Sequence, residues 1–193
     1  MKKTYVLDTN VLIQAPYAVE CFEENTVVLP MTVLEELDNM KKEEGEKGAN
    51  VRKVIRILDA HREKGNLLEG VRMEWGGTLR VEKNYRNVEL PPDLPEHKSD
   101  NRILKVCVGL SNDLKEQVIL VTKDILLRIK AQLLGIQAED FGTEQVAVHE
   151  EQYLGRREVF VPEELFKEFK KKGVPVECVY CCDMSGNHAC PEL

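Results

Sequence analysis

A chain of 193 residues is one ordinary domain with an appendage, or two very small ones. With 42% apolar and 32% charged residues it can bury a core without disulfides. Its formal charge of −7 excludes a protein that coats nucleic acid through its overall field; it does not exclude a site that gathers carboxylates around bound cations while separate basic patches hold phosphates.

No apolar run approaches the ~20 residues of a membrane helix. Met1-Lys2-Lys3 is followed by too few apolar residues for a signal peptide. A cytoplasmic chain without a membrane partner, its six cysteines mostly reduced, is the expectation.

Residues 5–7 read as a buried strand and 11–15 as the start of a helix, so Asp8 sits where a strand hands over to a helix. In open α/β sheets ligands bind at that junction, although a short polar residue there also serves as an ordinary helix cap. A second apolar run at 27–29 is stopped by Pro30, and 32–40 reads as a helix with Pro30 and Thr32 as start signals. On its wheel Val33, Leu37 and Met40 share one face. Glu36 lies at the edge of that face and can look into a cleft, whereas Glu35 points to water.

The charged, glycine-punctuated stretch 41–48 predicts a mobile connection or a frayed helix end. From Val51 an amphipathic helix runs to about residue 64. Its Arg52, Lys53, Arg56 and Arg62 form either a solvated face or a phosphate-facing stripe. Residues 71–75, Gly76-Gly77 and 79–81 give a hairpin signal. Residues 84–98, with three prolines and little periodicity, form a loop that is functional or disordered.

Ser99-Asp100 opens a helix whose stripe is Ile103, Leu104, Cys107 and Leu110, with Asp100 aligned on the same face. Residues 118–121 are a third clear strand, and Asp124 repeats the arrangement at Asp8: strand, acid, helix. The segment 125–134 is apolar nearly all round, which predicts a deeply packed helix ended by Gly135. A short final segment starts at Ile136. Beyond Thr143 a strand at 158–161 and a well-punctuated helix at 162–172 precede a tail holding four cysteines and His188.

Alternating strands and helices imply a mostly parallel sheet covered on both faces. Asp8 and Asp124 then sit at strand ends, Glu36 and Asp100 on early helical turns, and all four can converge on one rim. Four carboxylates in one cleft need a counter-charge. All-oxygen ligation favours one or two hard ions, Mg²⁺ or Mn²⁺, over zinc. Such ions activate water and stabilise the leaving oxygen of a phosphodiester, with Asn10 and Thr122 placed to orient the acids or the water.

The quartet Asp8, Glu36, Asp100 and Asp124 resembles the acidic set of PIN-domain ribonucleases. The strings around it sharpen the likeness: Leu-Asp-Thr-Asn-Val-Leu at 7–12, Val-Leu-Glu-Glu-Leu-Asp at 33–38, Ser-Asp-Asn-Arg-Ile-Leu at 99–104 and Val-Thr-Lys-Asp at 121–124. Their wording is similar to that of the PIN domain preceding the ATPase in PhoH-like proteins, over residues 4–141. The resemblance implies a Rossmann-like three-layer α/β/α fold over 1–145, with a β-hairpin insertion and a C-terminal extension or linker at 146–193. It implies Mg²⁺- or Mn²⁺-dependent endonucleolytic cleavage of single-stranded RNA and a possible homodimer or higher oligomer. Lys41, Lys42, Lys123 and Arg128 are the candidate nucleic-acid contacts.

The sequence lacks the phosphate-binding loop of an ATPase, so the expectation is either the amino-terminal piece of a longer PhoH-like protein or a free-standing nuclease. Two rival readings have discriminators. An aspartate-based phosphohydrolase would want a second acid two residues after Asp8, where Asn10 stands. A silent RNA-binding or dimerisation module would usually have lost one of the four acids. In the tail, Cys178, Cys181, His188 and Cys190, with Cys182 spare, have partial zinc spacing. The gap to His188 is short and the second pair tight, so reduced thiols are expected rather than zinc.

Overall fold

The computed structural model describes residues 2–85 and 87–142, together with the backbone of 181–182 and 188–189. The chain divides into two compact units, Met1–Val148 and His149–Leu193.

In the first unit the apolar runs become strands: β1 (Lys3–Leu7), β2 (Thr26–Pro30), β3 (Val71–Arg72), β4 (Thr78–Glu82), β5 (Gln117–Val121) and β6 (Gln137–Glu139). They form one sheet in the order β3-β4-β2-β1-β5-β6, parallel except for the edge strand β3. Val6, Leu7, Val27, Val28, Ile119 and Leu120 are all fully buried, as expected of central strands covered on both faces. The helices α1 (Thr9–Gln14), α2 (Met31–Met40), α3 (Gly45–Lys64), α4 (Ser99–Asp113) and α5 (Ile125–Leu133) supply the cover and complete the three-layer α/β/α architecture. Tyr5 and Phe22 meet at a ring-centroid distance of 4.6 Å and Phe22 and Phe141 at 6.1 Å, both tilted, which ties the segment after β6 back to β1. No helix among the described residues is long and apolar enough to cross a membrane.

Four details extend or depart from the expectations above. The expected hairpin forms between β3 and β4, and β4 also pairs in parallel with β2 over five residues, which makes it part of the central sheet. Residues 41–48 are not a loose connection. α3 starts at Gly45 (φ +80°), and Arg52 Nη1 donates to the carbonyls of Lys41 and Glu43 at 3.1 and 3.2 Å, folding that turn onto the helix. The stretch 84–98 packs on α4: Leu94 enters the core, Asn101 Nδ2 donates to Pro95 O at 2.8 Å, and Lys105 pairs with Glu96.

The fourth departure is the largest. α5 is not buried all round. Leu127 and Ala131 face the sheet, while Ile125, Leu126, Ile129 and Leu133 are exposed, Leu133 by 77%. A helix in an outer layer buries one stripe, whatever the composition of its other faces.

In the second unit β7 (Cys181–Cys182) pairs antiparallel with β8 (His188–Ala189), setting Cys182 opposite His188. Cys178, Cys190, the strand expected at 158–161 and the helix expected at 162–172 lie outside the described residues.

Gly48 shows how closely the 41–44 turn approaches α3: a Cβ there would stand 1.8 Å from the carbonyl oxygen of Glu43. Gly48→Ala should therefore destabilise the protein by about 1–3 kcal/mol, despite the usual helix preference for alanine. The melting temperature should fall by roughly 2–12 °C. An equal or higher melting point would show that the turn does not bear on the helix.

Candidate functional site

The chain runs from β1 outward through β2 to β4, then crosses back to place β5 on the other side of β1. The crevice at such a reversal, beyond the carboxyl ends of the strands, is where open α/β sheets take ligands. Leu7 lies opposite Val121 in the parallel register, and Asp8 N donates to Val121 O at 3.0 Å. The residues that leave the sheet here, Asp8 and Thr122, are consequently side by side.

The Thr122 hydroxyl organises this rim. It donates to Asp8 Oδ2 at 2.6 Å and accepts from Asn10 Nδ2 at 3.3 Å and from Asp124 N at 3.1 Å. One donor and two lone pairs are thus all in use. Asn10 Oδ1 accepts from Lys123 N at 3.2 Å, fastening α1 to the turn after β5. On the other side of Asp8, Thr9 N donates to Asp8 Oδ1 at 2.7 Å, and the Thr9 hydroxyl donates to the Glu36 carboxylate.

Asp8 is 6% exposed, and its carboxyl is pushed up to about 6. Burial is the main cause. The hydrogen bonds from Thr122 and Thr9 pull the other way, and the negative charges of Glu36 and Asp100 add to the rise. Three acids, Asp8 between β1 and α1, Glu36 on α2 and Asp100 on α4, therefore share one electrostatic field. Glu36 is half-buried, while Glu35 is turned outward and pairs with Arg102 at 3.1 Å.

Asp124 has a different occupation. It is the N-cap of α5, its Oδ1 accepting from Leu126 N at 2.7 Å and Leu127 N at 3.4 Å. Asp100 stands in the first turn of α4 and makes no cap. Instead Lys130 Nζ donates to its Oδ2 at 3.0 Å.

The donor set suits a hard divalent ion: oxygen throughout, with one buried carboxyl already burdened by two acidic neighbours. As the side chains stand, each acid is held by a protein donor, and no three Asp, Glu, His or Cys groups among the described residues are drawn together as ligands. Of the basic residues, Lys41 pairs with Asp38 at 2.6 Å and Lys123 with Asp140 at 3.5 Å, Lys42 is exposed, and Arg128 keeps a buried Nε without a partner. Arg52 and Arg62 are engaged by the 41–44 turn and by Asp59, which leaves Lys53 and Arg56 as the exposed remainder of the α3 stripe. Two residues of the site were not legible in the sequence. Thr9 had a weak signal, its place between Asp8 and Asn10. Lys130 had none, because nothing in the α5 pattern marks which flank meets α4.

Unfolded, Asp8 loses its proton near 3.8; folded, it holds the proton to about 6. On this group's account the metal-free fold keeps its full stability below about pH 4 and loses roughly 3 kcal/mol as the pH rises through about 6. Asp8→Asn should flatten that part of the melting profile and melt no lower than the native protein at neutral pH. A variant that keeps the native pH profile would show that the fold's late-titrating proton is not on Asp8.

The family model for the PIN domain matches residues 5–142. The chain is 46% identical over 178 residues to Protein PhoH2 of Bacillus subtilis, covering 89% of this chain and 40% of that protein. It is 40% identical over 149 residues to Protein PhoH2 of Mycolicibacterium smegmatis, covering 76% and 34%. The chain thus spans less than half the length of these curated relatives. Among solved structures, a PilT N-terminus domain protein of Sulfolobus solfataricus is similar with a TM-score of 0.45 and 13% identity, over 78% of this chain and 96% of that one. With the parallel sheet, its reversal at β1 and β5, and a family match over more than half its length, this chain belongs to the PIN-domain family.

Proposed function

We propose that the chain is a metal-dependent endoribonuclease that hydrolyses phosphodiester bonds of single-stranded RNA, with Asp8, Glu36, Asp100 and Asp124 holding one or two Mg²⁺ or Mn²⁺ ions. The observation that carries this reading is the Asp8 carboxyl at the crevice where the strand order reverses, raised chiefly by its burial and further by the charges of Glu36 and Asp100. Like charges gathered there are costly unless a cation is to be bound. The ion supplies electrostatic stabilisation of the charge that builds on the phosphodiester oxygens and a more acidic attacking water.

The chain's own groups do the positioning. Thr122 and Thr9 N hold the two oxygens of Asp8 in one orientation, and the Thr9 hydroxyl does the same for Glu36. Asn10 keeps the turn that carries Asp124 against α1 through the Lys123 amide. Lys42 and the partly exposed Lys41 and Lys123, whose surface ion pairs are weak, are available for phosphates, and Arg128 on α5 is a further candidate. Asn10 is committed to Thr122 and Lys123 and brings no second acid beside Asp8, which disfavours an aspartyl-phosphate mechanism. If the chain is part of a longer protein, a fused PhoH-like ATPase domain is the proposed partner, in keeping with the greater length of the relatives.

Labelled single-stranded RNA, duplex RNA and single-stranded DNA, compared with Mg²⁺ or Mn²⁺, test the substrate. Single-stranded RNA should be cut fastest, with cleavage falling as salt rises. Equal cutting of duplex and single strands would count against the RNA assignment, and no cutting of any polymer would favour a silent module.

Asp124 allows its two tasks to be separated. Asparagine caps helices nearly as well as aspartate, so Asp124→Asn should keep the melting temperature and lose cleavage. Asp124→Ala should lose cleavage and about 1 kcal/mol of stability as well. Retained cleavage in Asp124→Asn would leave this residue a cap and nothing more.

A further inference from the structure

Among the described residues one ammonium group is bonded to one of the four acids: Lys130 Nζ lies 3.0 Å from Asp100 Oδ2. The pair differs from Lys41–Asp38, Lys47–Glu43 and Arg62–Asp59, which join residues three or four apart and are largely exposed. Lys130 and Asp100 lie on different helices, thirty residues apart, and both are partly buried, at 25% and 38% exposed. Lys130 also belongs to α5, the helix that Asp124 caps. One element thus brings an acid to the rim at its first residue and a cation to a second acid about two turns later.

We propose that Lys130 is a positioning residue whose ammonium is the site's internal counter-ion: it holds Asp100 while the site is metal-free and competes with the divalent ion for that carboxylate. Asp100 contributes to the field that raises Asp8, so a positive charge on Asp100 partly screens the cluster. A divalent ion brings twice the charge and reaches several carboxylates at once, so it displaces the ammonium when bound. Lys130 therefore stabilises the metal-free fold and weakens metal affinity by the same amount. This inference rests on the proposed metal site and not on the nature of the substrate.

The test uses the full chain, with Mn²⁺ alone as the probe. Lys130→Met should bind Mn²⁺ about tenfold more tightly than the native protein in calorimetric titration, equivalent to about 1.4 kcal/mol. Without metal it should melt roughly 3–6 °C lower. At saturating Mn²⁺ the two proteins should melt together, because the metal has already broken the ion pair that the substitution removes. Lys130→Arg, which keeps the charge, should restore affinity to the native value or below. In an Asp100→Asn background Lys130→Met should no longer change affinity.

A merely structural pin behaves differently: Lys130→Met would melt lower by the same amount with and without Mn²⁺, at unchanged affinity, and the proposal would be overturned. Unchanged melting and unchanged affinity would overturn it equally. If the native protein binds Mn²⁺ and cuts RNA while Lys130→Met gains no affinity, this inference fails alone. If Lys130→Met gains affinity but neither protein cuts RNA, the ribonuclease reading fails alone. No Mn²⁺ binding by either protein sinks both.

Discussion

The parallel pairing of β1 with β5 is the constraint on which the rest of the rim depends. It sets Leu7 opposite Val121, so both strands leave the sheet at the same level and deliver Asp8 and Thr122 to each other. A slip of one residue would exchange the two faces of a strand buried on both sides and carry Asp8 away from its hydroxyl partner. From that pairing the order spreads outward. Thr122 receives Asn10 and the Asp124 amide, Asn10 receives the Lys123 amide, and the helices α1 and α5 start where these bonds require. The chain reversal that places β5 beside β1 also opens the crevice these residues line.

Around Asp8 the domain keeps like charges close and spreads their cost over its own donors. Thr9 serves Asp8 and Glu36 together, the N-terminal amides of α5 take Asp124, and Lys130 takes Asp100. The Thr9–Glu36 bond joins α1 to α2 and the Lys130–Asp100 pair joins α5 to α4, while the apolar stripes of the same helices hold them from beneath. The cost shows at Asp8, whose carboxyl, raised chiefly by burial and then by its acidic neighbours, is least comfortable at neutral pH. Further from the rim, the Arg102–Glu35 and Lys105–Glu96 pairs join α4 to α2 and to the stretch before it.

Much of this was readable from the chain itself. The apolar runs at 5–7, 27–29 and 118–121 became central strands, because strands buried on both faces must be continuously apolar. The helical wheel separated Glu36 from Glu35 correctly, since 100° per residue decides which of two neighbours meets the core. The strand–acid–helix pattern at Asp8 and Asp124 and the four motif strings led to the PIN family, which the match over residues 5–142 supports.

Other features were decided only by tertiary structure. Sequence periodicity reports how a segment treats its own faces, not how many layers will cover it, so the apolar α5 was expected to be buried and instead exposes Leu126 and Leu133. The glycines at 45 and 48 read as looseness, whereas a left-handed turn and a 1.8 Å approach to Glu43 need them for closeness. The β4 strand joined the main sheet because β2 offered it a free edge, information no hairpin signal contains. Lys130 met Asp100 because two helices thirty residues apart pack flank to flank, and such a meeting leaves no mark on either helix's own pattern.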